Sequence, residues 1–127
     1  MGTNQKTILI VDDEEDTRVY FSSFLEDNGY LTLEAEDGEE GMQLVRENKV
    51  DLITLDMAMP TKSGVGLYRE LKESEEWKHI PIIIITGLAG DFRKFISSRS
   101  QAPPPEGYMS KPINQEEFIR VVEELVV

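Results

Sequence analysis

The sequence has no cysteine among its 127 residues. Without cysteine, the chain can form neither a disulfide framework nor a thiolate metal site, and it has no thiol nucleophile. Long apolar runs are also missing, since none approaches the ~20 residues that a membrane-spanning helix needs. The first residues lack the apolar core of a signal peptide. We therefore expect a cytoplasmic protein.

Basic residues are scarce. The 13 lysines and arginines stand against 25 aspartates and glutamates, which gives a formal net charge of −12. A surface this acidic repels nucleic acid and anionic membranes, so we expect the chain to bind neither directly. The same field disfavours a bound phosphate unless a cation or a nearby lysine offsets it.

The composition is that of a globular chain. Apolar residues make up 39% of the sequence and charged residues 30%, which is enough apolar material for a core. No internal repeat or linker divides the chain. We predict a single domain over residues 1–127.

Strand and helix signals alternate along the chain. Apolar, β-branched runs predict strands covered on both faces, and the expected strands cover residues 7–11, 30–35, 52–56, 81–86 and 108–110. Apolar residues three or four positions apart predict helices between and after them, including a fourth helix around Phe92, Phe95 and Ile96. Five strands alternating with five helices predict an α/β protein with a doubly wound parallel sheet in the order 2-1-3-4-5.

Polar side chains stand at the carboxyl ends of four of the expected strands. Asp12 and Asp13 follow the first strand, Asp56 ends the third, Thr86 ends the fourth, and Lys111 follows the fifth. In an open parallel sheet of this order, the ligand crevice lies at the carboxyl ends of strands 1 and 3. Each residue alone has an ordinary explanation as a helix cap, a strand residue or a surface lysine. Their joint placement indicates a functional site.

This combination resembles the receiver domain of two-component response regulators, of the chemotaxis-regulator type, over the whole chain. The motifs that carry the resemblance are Ile10-Val11-Asp12-Asp13, Leu55-Asp56-Met57-Ala58-Met59-Pro60 with Gly64, Ile85-Thr86, and Lys111-Pro112-Ile113. The resemblance implies a flavodoxin-like fold. It also implies that the domain catalyses its own phosphorylation and dephosphorylation and turns over no external substrate.

The resemblance assigns the acidic residues to phosphoryl transfer. Asp56 would be the phosphoacceptor, and the donor would be a sensor histidine kinase, a histidine phosphotransfer protein or a small acyl phosphate. Asp13 and Asp56 would bind Mg²⁺ together with the backbone carbonyl of Ala58. Asp12 would act mainly through a metal-bound water.

The resemblance also assigns a switch. Thr86 would donate a hydrogen bond to a phosphoryl oxygen, Lys111 would pair with the phosphoryl group, and Tyr108 falls at the family's aromatic switch position. Phosphorylation would then change a surface that a downstream protein target or an output domain reads. A homodimer that depends on phosphorylation is compatible with this scheme.

Elementary electrostatics agrees with these roles. A carboxylate that attacks phosphorus must approach another anion, and three clustered carboxylates repel one another and raise one another's pKa values. A hard divalent cation such as Mg²⁺ relieves both problems, because it binds carboxylates, phosphate oxygens and water. Lys111 would neutralise charge on the transferring group.

Two features depart from the family pattern. Ala58 and Leu88 occupy positions that are often polar, so we expect poor orientation of a hydrolytic water and a long-lived acyl phosphate. The stretch from Thr86 to Lys111 is longer than usual and contains three consecutive prolines. We expect residues 90–108 to take part in signal output, with a fourth helix that is short or displaced.

Three alternatives are weaker. A receiver-like binding module that is never phosphorylated would not need the acidic residues together with Lys111. A flavin carrier needs a Ser/Thr/Gly-rich phosphate loop after the first strand, where this chain has Asp12-Asp13-Glu14-Glu15. A hydrolase of the aspartyl-phosphate type would need a second acid at position 58, where this chain has alanine.

Overall fold

The computed structural model describes residues 5–56, 63–86 and 106–126, which form five strands and four helices. The strands are β1 (Thr7–Val11), β2 (Leu31–Ala35), β3 (Leu52–Asp56), β4 (Ile82–Thr86) and β5 (Gly107–Ser110). The helices are α1 (Glu15–Asp27), α2 (Gly38–Glu47), α3 (Ser63–Glu73) and α4 (Gln115–Leu125). No helix in these ranges is both long enough and apolar enough to cross a membrane.

All five strands are parallel and lie in the order β2-β1-β3-β4-β5. The predicted α/β fold and strand order are therefore confirmed. The expected helix around Phe92, Phe95 and Ile96 lies outside the described residues. At the centre of the sheet, Val11 of β1 pairs with Leu55 of β3. The residues that follow this pair, Asp12 and Asp56, consequently leave the sheet side by side.

The sheet is covered by a separate core on each face, because successive side chains of a strand point to opposite faces. Leu9 and Val11 of β1 belong to the core beneath α2 and α3. Ile8 and Ile10 belong to the core beneath α1 and α4, where Phe118 is fully buried. This two-sided burial is why the central strands consist almost entirely of apolar residues.

Local sequence signals fix the ends of the helices. α1 ends before Asn28, and Gly29 adopts φ +92°, a left-handed conformation that favours glycine. Asp37 caps α2 by accepting a hydrogen bond from the Glu40 amide at 2.8 Å. Asn114 caps α4 in the same way, accepting from the amide of Glu117 at 2.9 Å.

Gly41 lies in the middle of α2, where glycine weakens a helix. A β-carbon at this position would lie 3.1 Å from Leu67 Cδ2 of α3 and 3.4 Å from Val11 Cγ2 of β1. The absent side chain therefore lets α2 pack closely against both α3 and the central strand.

A buried ion pair joins the amino ends of β4 and β5 to α3. The Lys72 side chain is only 2% exposed, and its Nζ lies 2.6 Å from Glu106 Oε2. The Glu106 Oε1 atom also accepts a hydrogen bond from the Ile82 amide at 2.9 Å. A buried ammonium without a partner would be costly, so this contact fixes the start of β5 against β4 and α3.

Replacing Glu106 with glutamine should destabilise the fold, because it leaves the Lys72 ammonium buried without its counter-charge. We expect Glu106→Gln to lower the free energy of unfolding by roughly 2 to 3 kcal/mol, less than for a fully buried pair because Glu106 is 35% exposed. Urea unfolding measures the change. The control Glu70→Gln, which breaks the exposed pair with Arg46, should cost less than about 1 kcal/mol. Equal losses in both variants would contradict the prediction.

Candidate functional site

Three carboxylates meet where β1 and β3 leave the sheet. One oxygen from each of Asp12, Asp13 and Asp56 lies within 4.8 Å of the others. Asp12 is 1% exposed and Asp56 is 4% exposed, whereas Asp13 is exposed to solvent. The parallel pairing of β1 with β3 produces this cluster, because it places the two strand ends next to each other. The pocket thus has two buried acids and one acid at its mouth.

The main chain of Asp12 is tied to the sheet, and its side chain is tied to helix α1. Its amide donates a hydrogen bond to the Ala35 carbonyl at 3.1 Å, which continues the pairing of β1 with β2. Its Oδ1 atom accepts a hydrogen bond from the Glu14 amide at 2.9 Å. Glu14 is the N-cap residue of α1, and its own side chain makes no capping bond. The Asp12 carboxylate therefore satisfies an amide at the start of the helix while facing the pocket.

Lys111 reaches this cluster from the edge of the sheet that is formed by β5. It follows β5, and β4 lies between β5 and β3. Its Nζ atom lies 3.4 Å from Asp56 Oδ2 and 3.8 Å from Asp12 Oδ2, and its side chain is 29% exposed. The peptide bond between Lys111 and Pro112 is cis. The Lys111 ammonium thus lies beside the two buried carboxylates.

Burial and the neighbouring charges change the acidity of Asp12. Its pKa is raised from 3.8 to about 6, and burial is the largest cause. The hydrogen bond from Glu14 lowers the pKa, the charge of Asp56 raises it, and the charge of Lys111 lowers it again. Burial and the charge of Asp56, which raise the pKa, outweigh Glu14 and Lys111, which lower it. Additional positive charge beside the buried acids would lower this pKa.

The pocket fits a hard divalent cation. Carboxylate oxygens are the ligands that Mg²⁺ prefers, and Mg²⁺ sites typically use one or two carboxylates with water completing the shell. The three acids supply a charge of −3 when ionised, and Lys111 offsets only one unit. The Asp12 and Asp56 carboxylates are buried at the strand ends, and the exposed Asp13 leaves the pocket open to water. Ala58, the fourth predicted ligand, lies outside the described residues.

The other predicted site residues that the structure describes lie on strands β4 and β5. Thr86 is the last residue of β4 and pairs with Ser110 of β5, so its backbone lies at the same edge of the sheet as Asp56. Tyr108 pairs with Ile84, is half-buried, and packs against the core beneath α2 and α3. Leu88 and most of the predicted output segment 90–108 lie outside the described residues.

Arg18 also contacts the site, although none of the sequence motifs contains it. Its Nη1 atom donates a hydrogen bond to the main-chain oxygen of Asp12 at 2.7 Å, and its Nε atom lies 3.3 Å from Glu34 Oε1. Arg18 stands three positions before the buried Phe21 on α1. Helical spacing could have revealed that this arginine faces the sheet rather than solvent.

With this geometry in view, the comparisons with known proteins define the family. The family model for the response regulator receiver domain matches residues 8–123. The polar-differentiation response regulator DivK of Brucella anthropi is 35% identical over 117 residues, covering 92% of this chain and 93% of the relative. The chain belongs to the response regulator receiver domain family of two-component systems. The resemblance expected from the motifs is confirmed.

Solved structures agree with this assignment. The chemotaxis protein CheY4 of Vibrio cholerae has a TM-score of 0.82 at 26% identity, covering 95% of this chain and 98% of the other. A putative response regulator from Chloroflexus aurantiacus has a TM-score of 0.83 at 25% identity, covering 97% and 98%. The flavodoxin-like, chemotaxis-regulator-type fold is therefore shown.

The raised pKa of Asp12 predicts a pH-dependent stability in the absence of divalent cations. A raised acid pKa favours the folded state below pH 3.8, and this contribution is lost as the pH rises from 3.8 to about 6. Asp12→Asn removes the buried charge but keeps an acceptor for the Glu14 amide. We therefore expect the variant to be more stable than the wild type above pH 6, by at most about 3 kcal/mol.

Urea unfolding in EDTA between about pH 4 and pH 8 measures this difference, which should shrink toward the acid end. The exposed Asp27→Asn variant is the control and should change stability by less than about 0.5 kcal/mol throughout. A difference between Asp12→Asn and wild type that stayed constant over this range would contradict the prediction.

Proposed function

We propose that the chain accepts a phosphoryl group on Asp56 in a Mg²⁺-dependent reaction and thereby switches a protein-interaction surface. The observation that supports this most is the placement of Asp56. Its carboxylate is 4% exposed, shares a pocket with Asp12 and Asp13, and has Oδ2 only 3.4 Å from Lys111 Nζ. A structural aspartate would not need two further acids and a lysine around it.

The proposed chemistry is a displacement at phosphorus. An Asp56 carboxylate oxygen attacks the phosphorus of a phosphohistidine, the new O–P bond forms, and the N–P bond breaks. The electron pair of that bond leaves with the imidazole. Lys111 is close enough to Asp56 to neutralise charge on the transferred group, which is how most phosphoryl-transfer sites lower the barrier. The domain modifies itself and releases no product of its own, so it is not a turnover enzyme.

The residues that would hold Mg²⁺ are Asp12, Asp13, Asp56 and the backbone carbonyl of Ala58. When bound, the cation supplies positive charge between the nucleophile and the phosphoryl oxygens. Within this group, Asp13 and Asp56 would bind the cation directly and Asp12 would act mainly through a metal-bound water. The carboxylate cluster supports this assignment, because its oxygens lie close enough together to share one ion.

We place this chemistry in a cytoplasmic signalling pathway. Residues 1–127 act as one receiver domain, and the phosphoryl donor is a sensor histidine kinase or a histidine phosphotransfer protein. The phosphorylated surface is read by a downstream protein target, by an output domain or by a second copy of the chain. Nucleic acid and membrane are not direct partners, consistent with the net charge of −12.

Thr86 and Tyr108 form the proposed switch. Thr86 lies at the end of β4 near the acceptor, and Tyr108 lies on the neighbouring edge strand β5. Thr86 donates a hydrogen bond to the phosphoryl group, and Tyr108 responds by changing its packing against the core beneath α2 and α3. The half-buried position of Tyr108 supports this role, since such a ring can move between core and surface.

Asp56→Asn tests the acceptor. We expect wild-type protein mixed with Mg²⁺ and acetyl phosphate to gain one phosphoryl mass increment, and the variant to gain none, because an amide is not a competent nucleophile. Intact-mass spectrometry measures the increment, and the exposed Asp27→Asn variant should be labelled like the wild type. Labelling of Asp56→Asn at the wild-type level would place the acceptor elsewhere. No labelling of the wild type by any phosphodonor would favour a binding module that is never phosphorylated.

Lys111→Ala tests whether Lys111 and the acids have separate roles. Lys111 is assigned to the phosphoryl group and the acids to Mg²⁺, so this variant should retain Mg²⁺ binding while phosphorylation no longer produces the conformational response. Calorimetry with MgCl₂ and hydrogen exchange with beryllofluoride measure the two effects. The exposed Lys49→Ala variant controls for the lost charge. Loss of Mg²⁺ binding in Lys111→Ala would show that the division of roles is wrong.

A further inference from the structure

Each polar atom of Asp12 has a partner elsewhere in the fold. Its amide is tied to β2 through Ala35, and its Oδ1 is tied to the Glu14 amide at the start of α1. Its Oδ2 lies 3.8 Å from Lys111 Nζ. The remaining atom is the main-chain oxygen, which accepts from Arg18 Nη1 at 2.7 Å. Arg18 thus fixes the peptide plane that leads directly to Asp13.

That peptide plane matters because Asp13 has little else to orient it. Asp13 is exposed, whereas Asp12 and Asp56 are buried. The direction in which an exposed side chain leaves the backbone is set by the peptide planes on either side of it. A fixed Asp12 carbonyl therefore limits where the Asp13 carboxylate can lie relative to the buried pair.

Arg18 is itself held in place. Its Nε atom lies 3.3 Å from Glu34 Oε1 on β2, and its side chain is only 14% exposed. A guanidinium is planar and presents several N–H groups in a fixed arrangement, so it can contact Glu34 and Asp12 at the same time. The ammonium of a lysine is a single point and cannot reproduce both contacts with the same geometry.

We propose that Arg18 is a positioning residue for the metal pocket: by bridging Glu34 and the Asp12 carbonyl, it holds Asp12 and Asp13 in the geometry that binds Mg²⁺. This inference rests on the proposed function, because it assumes that the acidic cluster binds the cation. Arg18 lies on α1, outside the sequence motifs and outside the cluster of acids, so the inference gives this helix a role in shaping the pocket.

Removal of Arg18 would change the affinity for Mg²⁺ in opposite directions, depending on whether Arg18 acts through its charge or by positioning the acids. If Arg18 contributed only its charge, its loss would make the pocket more negative, and Mg²⁺ would bind more tightly. If Arg18 positions the acids, its loss would loosen the turn after β1, and Mg²⁺ would bind more weakly. The sign of the change therefore distinguishes positioning from charge.

The experiment measures the Mg²⁺ dissociation constant by calorimetry and by the rise of the unfolding midpoint with MgCl₂, at temperatures where each variant is folded. We expect Arg18→Met, which keeps much of the aliphatic stem, to bind Mg²⁺ about tenfold more weakly, a factor that corresponds to about 1.4 kcal/mol. We expect Arg18→Lys to bind about threefold more weakly, and this variant serves if Arg18→Met fails to fold.

Arg46→Met is the matched control. Arg46 also lies on a helix and also pairs with a glutamate, at 3.4 Å from Glu70, but on the α2–α3 side of the molecule. The variant removes the same charge from the chain and should change the dissociation constant by less than about twofold, since both partners are more than half exposed.

Phosphorylation by acetyl phosphate gives an independent readout. Arg18→Met should need more Mg²⁺ for half-maximal labelling but should approach the wild-type rate at saturation. The inference is wrong if Arg18→Met binds Mg²⁺ as tightly as the wild type or more tightly, if Arg18→Lys restores full affinity, or if only the saturated rate falls. A wild type that does not bind Mg²⁺ would instead contradict the proposed function and remove the basis of the inference with it.

Discussion

The electrostatic repulsion among Asp12, Asp13 and Asp56 is the constraint on which the rest of the site depends. Two of these acids are almost fully buried, and the Lys111 Nζ atom lies within 4 Å of a carboxylate oxygen of each. A stable apolar fold has no reason to gather acids at one point, and burial, the largest cause, together with the charge of Asp56 raises the pKa of Asp12 to about 6. The fold tolerates this cost because two apolar cores hold the strand ends in place. The same cluster of carboxylates is what makes the pocket compatible with a cation such as Mg²⁺.

The topology explains why residues so far apart in sequence form one site. β1 and β3 are neighbours although β2 lies between them in the chain, so Asp12 and Asp56 emerge together. Lys111 follows the edge strand and spans β4 to reach Asp56. Groups carried on the ends of buried strands are held more rigidly than groups on long loops. The arrangement therefore suits chemistry that needs a fixed nucleophile and a fixed cation.

Much of this could be predicted from the sequence, because strand order and strand-end residues follow from alternation and connectivity alone. The parallel sheet and the meeting of Asp12, Asp56 and Lys111 required no side-chain detail. Two ion pairs could not be predicted in this way. Helical spacing indicates that Arg18 faces the sheet, but it identifies no partner for Arg18 or for Lys72. Those partners are Glu34 on β2 and Glu106 at the start of β5. Such contacts depend on how helices pack on the sheet, which local periodicity does not specify.

Strand β5 is fixed by an ion pair at each end, and the two pairs differ in what the proposed function does to them. At its amino end, Glu106 binds the buried Lys72 and the Ile82 amide, far from the acidic pocket along the strand. At its carboxyl end, Lys111 faces Asp56 and Asp12. A phosphoryl group on Asp56 would change the partner of Lys111 and leave Glu106 untouched. Tyr108 lies between these ends, so a response to phosphorylation would enter β5 from the Lys111 side while the Glu106 side stays anchored.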